Sequence, residues 1–181
     1  GSYDSLSDLI GADTKAVIML HSSNVSGEIF DINKIGSICK EKGIDFILDA
    51  AQTAGHYPID FLKSGISALI VPGHKGLIMM EKDFAKRLSP FICGGTGSAS
   101  ESEFMPEFMP DKFEAGTPNI PGIYGLEKAL EFIENTGVNT LYKHTDMLYK
   151  RFITGLYNLK LQARIKILGK EERDNSGVIS L

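Results

Sequence analysis

Short apolar runs that stop at polar residues recur along the first half of the chain. Ala16–Leu20, Ile44–Leu48 and residues 67–71 are runs of this kind, and each predicts a buried strand. Asp31 is a favourable helix N-cap, and the apolar side chains that follow it recur at helical spacing from Ile32 to Cys39, which predicts a helix. Strands that alternate with helices predict an α/β fold with a mostly parallel sheet and flanking helices.

Further helices are predicted from apolar spacing: short ones within residues 4–15, 59–66 and 83–88, and two longer ones in the second half. The first long helix starts near Asn119, with apolar residues expected inward (Ile123, Leu126, Leu130, Ile133). The second runs from about Val138 to Leu156, with an apolar stripe predicted to be core (Leu141, Leu148, Phe152, Leu156). The residues between 99 and 112, rich in Glu, Met, Phe and Pro, predict a loop with exposed apolar groups, a feature that often marks a partner interface.

Composition and charge exclude several classes of function. The chain has 181 residues and a formal net charge of −4, without a basic block, which argues against a nucleic-acid partner. Its apolar runs are far shorter than the ~20 residues of a membrane-spanning helix. Two cysteines, Cys39 and Cys93, give no disulfide framework, so a reducing cytoplasm is the expected location. Cys39 is predicted to face the core.

The candidate chemistry lies between Asp49 and Lys75, which each follow one of the predicted buried strands. Ligands of open α/β sheets bind at the carboxyl ends of the strands, and a buried charge there needs a partner. The two side chains can pair with each other, or a ligand can lie between them. Pyridoxal phosphate fits the second arrangement, since it needs a lysine amine for its aldehyde and a carboxylate for its pyridinium nitrogen. Asp49 can also simply cap the turn that follows.

Four segments carry a family resemblance: His21–Gly27 (HSSNVSG), Asp49–His56 (DAAQTAGH), Gly73–Leu77 (GHKGL) and Phe113–Asn119 (FEAGTPN). In this order they resemble the class V aminotransferases, most closely the cysteine desulfurase and selenocysteine lyase branch. The resemblance implies the large domain of a fold-type I enzyme dependent on pyridoxal 5'-phosphate. It assigns residues 1–137 to part of that domain, and residues 138–181 to a connecting helix and the start of a small C-terminal domain.

The same resemblance implies a role for each candidate site residue. Lys75 becomes the catalytic lysine that forms the Schiff base with the cofactor, and His74 holds phosphate or orients that lysine. Asp49 pairs with the ring nitrogen, the Gln52 amide donates to the ring hydroxyl, and Asn24 lies near the ring oxygen or the substrate. Thr117 reaches across a homodimer to the phosphate of the neighbouring subunit's cofactor.

The implied activity is removal of sulfur from L-cysteine to give alanine, with a sulfur-acceptor protein as a further partner. Two alternatives remain: another enzyme of the same class, such as an aminotransferase or a selenocysteine lyase, and a truncated domain without activity. Two departures favour the last alternative. Pro72 stands where relatives carry a phosphate-binding hydroxyl residue, and the usual glycine-rich run after Leu77 is either deleted or absent from the sequence. Relatives are about twice as long, so the chain is expected to be incomplete and inactive as a desulfurase, without its reactive cysteine; Cys93 is not expected to replace it.

Overall fold

The computed structural model describes residues 4–71, 76–98, 102, 104–159, 164–169 and 174–181. Helices and strands follow in the order α1 (Asp4–Leu9), β1 (Ala16–Leu20), α2 (Ile32–Glu41), β2 (Asp45–Asp49), β3 (Ala68–Val71), β4 (Leu77–Met80), α3 (Lys82–Arg87), α4 (Ile120–Thr136) and α5 (Val138–Asn158). None of the helices within these ranges is long and apolar enough to cross a membrane.

The four strands form one mixed sheet in the order β1-β2-β3-β4. β1, β2 and β3 are parallel, with Leu20 opposite Asp49 and Asp49 opposite Ile70. β4 runs antiparallel to β3 and pairs Val71 with Leu77. The predicted α/β class and mostly parallel sheet are therefore confirmed, and the carboxyl ends of the three parallel strands meet at one edge.

Helix α2 forms where the sequence predicted it, for local reasons. The Asp31 side chain accepts a hydrogen bond from the backbone N–H of Lys34 at 3.0 Å, as an N-cap does. At the other end Gly43 adopts a φ of +65°, a conformation that glycine takes without strain. The apolar face of α2 packs on one face of the sheet, and the core comprises Ile32, Ile35, Cys39, Phe46, Leu48, Ala50, Ile66 and Leu69. The expected burial of Cys39 is confirmed.

The opposite face of the sheet is less covered. Side chains alternate between faces along a strand, so Ile18, Leu20 and Asp49 lie opposite the face that packs on α2. Ile18 is 71% exposed and Leu20 43% exposed. The prediction that β1 is a fully buried strand is therefore wrong: only its α2-facing side packs against the core.

Helices α4 and α5 form close to their predicted ranges, but their predicted apolar faces are only partly inward. The side chain of Asn119 caps α4 by accepting from the Gly122 backbone N–H at 3.1 Å. Ile123 and Leu130 are more than half exposed, and on α5 Leu148 and Phe152 are also exposed. These four positions thus lack a covering element in the described part of the chain, whereas the other predicted inward residues are half-buried (Leu126, Ile133, Leu141, Leu156). The short helix expected at residues 59–66 is also wrong, because this stretch forms successive turns.

Candidate functional site

Asp49 is the last residue of β2 and lies at the carboxyl edge of the sheet. It is half-buried, and its Oδ1 accepts a hydrogen bond from the backbone N–H of Ala51 at 2.8 Å. The alternative that Asp49 caps its own turn is therefore realised for one oxygen. Among the described residues no hydrogen bond reaches Oδ2, so this oxygen keeps its capacity to accept from a ligand.

The chain segments that follow β1 and β2 are joined directly beside Asp49. The backbone N–H of His21 donates to the Asp49 carbonyl at 2.8 Å. A second hydrogen bond of 2.8 Å joins His21 Nδ1 and Thr53 Oγ1, and both side chains are almost fully buried. Burial lowers the pKa of His21 from 6.5 to about 4, so its imidazole is neutral at pH 7. The pair fixes the distance between the two loops that carry the candidate residues.

Those two loops bring Asn24, Asp49 and Gln52 to neighbouring strand ends. Asn24 is exposed in the turn after β1, and Gln52 is half-buried in the turn after β2. Thr117 is exposed in the irregular stretch between α3 and α4, where the preceding Gly116 N–H donates to the Gly95 carbonyl at 2.8 Å. The roles assigned to these side chains stay predictions.

His74 and Lys75, and with them Pro72, lie outside the described residues. Their flanks are described: β3 ends at Val71 and β4 begins at Leu77. Because β3 neighbours β2 directly and in parallel, the chain leaves β3 toward Lys75 at the same edge of the sheet as Asp49. β4 runs without interruption from Leu77 to Met80, so this sequence has no glycine-rich run directly after Leu77.

A cleft of about 520 Å³ lies near His21 and is bordered by Tyr57, Asp31, Asp60 and Asp174 among others. Tyr57 in its lining is packed between two rings, since it meets the His21 ring edge-on at 5.3 Å and the Tyr142 ring edge-on at 4.9 Å. Burial raises the pKa of both Tyr57 and Tyr142, and the nearby Asp174 carboxylate raises both pKa values further.

The carboxylates of this cleft already have partners in the protein. Asp31 caps α2, Asp60 accepts from the Lys63 backbone N–H at 3.0 Å, and Asp174 accepts from the Tyr57 hydroxyl at 3.4 Å. None of Asn24, Asp49, Gln52 or Thr117 borders the cleft. We therefore assign it a structural role and place the candidate site at the sheet edge around Asp49.

The described residues fit the chemistry of pyridoxal phosphate. The Asp49 carboxylate, with one oxygen left to accept, can pair with a protonated ring nitrogen, and the Gln52 amide, three residues further on, can donate to a ring oxygen. The described residues include no group of three or more His, Cys, Asp or Glu side chains that could hold a metal ion.

Sequence reasoning did not identify the His21–Thr53 pair or the contacts of residues 174–180 as parts of this site. Residues 174–180 make several hydrogen bonds to the loop that contains Asn24. Both features join residues far apart in sequence, and no spacing rule marks them. The only available signal was the polar character of His21 and Ser22 directly after an apolar strand.

A mixed α/β sheet with a carboxylate at a strand end, beside the strand that leads to a lysine, defines a candidate cofactor-dependent α/β enzyme. The chain belongs to the aminotransferase class-V family, whose sequence profile matches residues 2–181. A probable cysteine desulfurase of Pyrococcus abyssi is 34% identical over 158 residues, which is 81% of this chain and 39% of the relative.

Solved structures agree with this assignment. The apo structure of a cysteine desulfurase from Thermococcus onnurineus superimposes with a TM-score of 0.79 and 29% identity, over 92% of this chain and 43% of that one. The structure of SspA in complex with cysteine gives a TM-score of 0.60 and 28% identity, over 72% of this chain and 36% of that one. The chain thus spans about two-fifths of the length of these relatives.

Proposed function

We propose that this chain forms the central part of the cofactor site of a cysteine desulfurase dependent on pyridoxal 5'-phosphate. The observation that carries the proposal is the position of Asp49, at the end of β2 and next to the strand that leads to Lys75. The similarity to cysteine desulfurases supports the reaction class, and the similarity to SspA bound to cysteine supports L-cysteine as substrate. When bound, the cofactor supplies an electron-accepting ring that activates the substrate's carbon atoms.

Each residue then has a definite task in holding the cofactor and moving protons. The Asp49 carboxylate keeps the ring nitrogen protonated, and Gln52 and Asn24 donate to oxygen atoms of the ring or substrate. The Lys75 amine would hold the cofactor, and the same amine would carry protons to and from the substrate. His74 orients Lys75 or holds phosphate.

The two cysteines within the chain differ in their capacity to take up sulfur. Cys39 is fully buried in the core, and burial raises the pKa of its thiol, which disfavours the reactive thiolate. Cys93 is exposed but lies on an irregular stretch beyond α3. We propose that neither serves as the sulfur-accepting nucleophile, so the chain by itself releases no sulfide from L-cysteine. Sustained sulfide release that is lost in Cys93→Ser would overturn this assignment.

The proposal also includes a second subunit, because Thr117 is expected to contact the cofactor of a neighbouring subunit. The stretch that precedes Thr117 exposes large apolar side chains, with Phe104 83% exposed and Phe108 53% exposed. Exposed apolar groups of this size are typical of protein interfaces. We infer a homodimer in which this stretch contacts the partner and brings Thr117 to the partner's cofactor phosphate.

The decisive experiment is a reductive trap. The chain is incubated with pyridoxal phosphate, reduced with borohydride, and the labelled peptide is mapped by mass spectrometry. We expect label concentrated on Lys75, with at least ~10-fold less total label in Lys75→Ala, because a solvated surface lysine is protonated and reacts poorly.

Lys40→Ala provides the matched control, since Lys40 is an exposed lysine in the last turn of α2 and does not belong to the predicted site. It should leave the label on Lys75 unchanged. Label scattered over surface lysines, and equal in the two variants, would mean that the chain does not form the site. Repeating the trap on the longer polypeptide would then separate an incomplete site from a domain that has no cofactor.

A further inference from the structure

The loop between β1 and α2 is held from outside by residues far along the chain. We call residues 22–29 the Asn24 loop and residues 174–180 the clasp segment. The Ile29 N–H donates to the Asp174 carbonyl at 3.0 Å, and the Ser176 N–H donates to the Gly27 carbonyl at 2.9 Å. These two backbone hydrogen bonds run in opposite directions, so the two segments pair as a short antiparallel ladder beside the Glu28–Asn175 bridge.

Side chains of the clasp segment add three further hydrogen bonds to the loop. Asn175 Nδ2 donates to the Ser26 carbonyl at 2.9 Å, and Ser180 Oγ donates to the Val25 carbonyl at 2.6 Å. Ser22 Oγ donates to Ser176 Oγ at 2.8 Å. These hydrogen bonds therefore reach Val25 and Ser26, which follow Asn24, and Ser22 at the start of the Asn24 loop.

Asn175 is the centre of this arrangement. It is buried, with 7% of its surface exposed, and its Oδ1 accepts from the Gly177 N–H at 2.7 Å while its amide group donates to the loop. The clasp segment also explains why residue 27 is a glycine, which has a φ of +70° here. A Cβ at this position would collide with the Asn175 side chain and with the Val178 carbonyl.

The Asn24 loop has internal hydrogen bonds of its own, but they leave its outer side open. Ser23 Oγ accepts from the N–H groups of Val25 and Ser26 at 3.2 and 3.1 Å. This turn fixes residues 23–26 relative to one another without fixing the loop relative to the sheet. His21 anchors the start of the loop, and its carbonyl also accepts from the Phe30 N–H at 2.9 Å, directly after the end of the loop. The clasp segment holds the residues between these two ends.

We propose that the clasp segment, through Asn175, positions the Asn24 loop for cofactor binding. This inference rests on the proposed function, since it gives Asn24 its task at the cofactor. Asn175 is a positioning residue: it acts through the backbone of residues 26–29 and does not touch the site itself. A loop that is ordered in advance binds its ligand without the loss of conformational entropy that ordering requires.

Two readouts on the same protein test the proposal. Hydrogen–deuterium exchange without cofactor reports the anchoring of the loop, and titration with pyridoxal phosphate reports its consequence for binding. For Asn175→Ala we expect amide exchange of residues 25–29 to rise about tenfold and the Kd for pyridoxal phosphate to rise about fivefold. Asn33→Ala is the matched control, because Asn33 Oδ1 accepts a hydrogen bond from Ser64 Oγ at 2.8 Å, a side-chain hydrogen bond between segments that involves neither the Asn24 loop nor the clasp segment.

Two milder variants keep the test decisive if Asn175→Ala does not fold. Asn175→Asp retains the acceptor for Gly177 N–H but replaces the donor to Ser26 by a carboxylate oxygen, which repels the Ser26 carbonyl, so it should reproduce both effects. Ser180→Ala removes the single hydrogen bond to Val25, and it should raise exchange at residues 25–26 more than at residue 29.

The outcomes separate the clasp from the proposed function. Unchanged exchange in these variants overturns the anchoring, and faster exchange with an unchanged Kd overturns its link to the cofactor. If neither the unmodified chain nor the longer polypeptide binds pyridoxal phosphate or gives label on Lys75, the proposed function fails, and the positioning role fails with it. The exchange data would then still show whether the clasp orders the loop.

Discussion

At the scale of single residues, His21 shows how burial sets the charge of a side chain at the sheet edge. It is 1% exposed, its Nδ1 is engaged with Thr53, and the Tyr57 ring lies against it. No carboxylate is among these partners to stabilise an imidazolium, so burial dominates and the neutral form is favoured. The ring therefore stays neutral at pH 7 and can hold the two loops together.

This environment makes folding stability depend on pH. The folded pKa of about 4 lies below the ordinary value of 6.5, so the unfolded chain binds the proton more readily between these values. The stability contributed by neutral His21 is fully present above pH 6.5 and is lost as the pH falls toward 4, by about 3 kcal/mol in total. Urea unfolding at several pH values should show this loss in the unmodified chain and its absence in His21→Asn.

The control for this prediction is another histidine replaced in the same way. His144 lies exposed on α5, so the stability difference between His144→Asn and the unmodified chain should stay constant between pH 4 and pH 6.5. The carboxylates that titrate in this range are common to all three proteins and cancel in the comparison. Parallel stability curves for the unmodified chain and His21→Asn would show that His21 is protonated as easily in the folded state as in the unfolded one.

At the scale of elements, α2 is fixed on the sheet by a close approach at Gly36. A Cβ at this position would collide with the backbone carbonyl of Ser64, and backbone atoms cannot move aside as a side-chain tip can. Gly36→Ala should therefore push α2 from its place and disturb the packing of Ile35 and Cys39. We expect a loss of about 1–3 kcal/mol in the free energy of unfolding, measured by chemical denaturation.

A second helical glycine supplies the matched control. Nothing lies within 4 Å of a Cβ built at Gly125 in α4. Gly125→Ala should stabilise the chain by about 0.5–1 kcal/mol, because alanine loses less conformational entropy in a helix. If both variants changed stability in the same direction, the close contact between α2 and Ser64 would not govern the packing of the helix.

The elements also show how far the sequence could predict the structure. Helix α2 was predictable because its cap, its apolar spacing and its final glycine are all local features. The parallel strands were predictable because each apolar run ends at polar residues. The inward faces of α4 and α5 were not, since spacing shows that Ile123 or Phe152 belongs to an apolar stripe but not whether another element covers it. The antiparallel pairing of β4 with β3 is a tertiary feature that no periodicity reveals.

The same limit applies to the candidate site. Asp49 and Asn24 were found because they follow strands within motifs, and the structure places them at neighbouring strand ends. The His21–Thr53 hydrogen bond and the contact of Asn175 with Ser26 depend on which segments fold against each other. Such pairs have no fixed spacing in sequence, so they become visible only once the fold is known. The role of Lys75 stays a prediction that rests on its motif and on the position of β3.

At the scale of the whole molecule, the two faces of the sheet differ in how well they are covered. One face packs on α2 and forms the core, while the other leaves Ile18 71% exposed and Ile78 56% exposed. The register places these two residues on the same face, since Ile18 lies opposite Ile47, Ile47 opposite Ala68, and Ile70 opposite Ile78. Contiguous apolar surface of this kind is costly in water and favours association.

The open face should therefore bind an apolar dye such as anilinonaphthalene sulfonate in the native state. Replacing both Ile18 and Ile78 by Thr should reduce the bound-dye fluorescence at least about twofold and lower self-association, because the substitution removes apolar surface. Threonine keeps a β-branched shape suited to strands, and both positions are largely exposed, so the free energy of unfolding should change by no more than about 0.5 kcal/mol per residue.

A matched double variant distinguishes the open face from general surface hydrophobicity. Leu62 is 81% exposed and Leu159 is 70% exposed, and neither belongs to the sheet. Replacing both by Thr removes two exposed apolar side chains that do not adjoin each other on one face, so dye binding and self-association should stay near those of the unmodified chain. Equal losses in the two double variants would mean that dye binding follows the total exposed apolar surface and that the sheet face has no special part in it. A selective loss in the sheet variant would instead identify that face as the main uncovered apolar surface of the described chain.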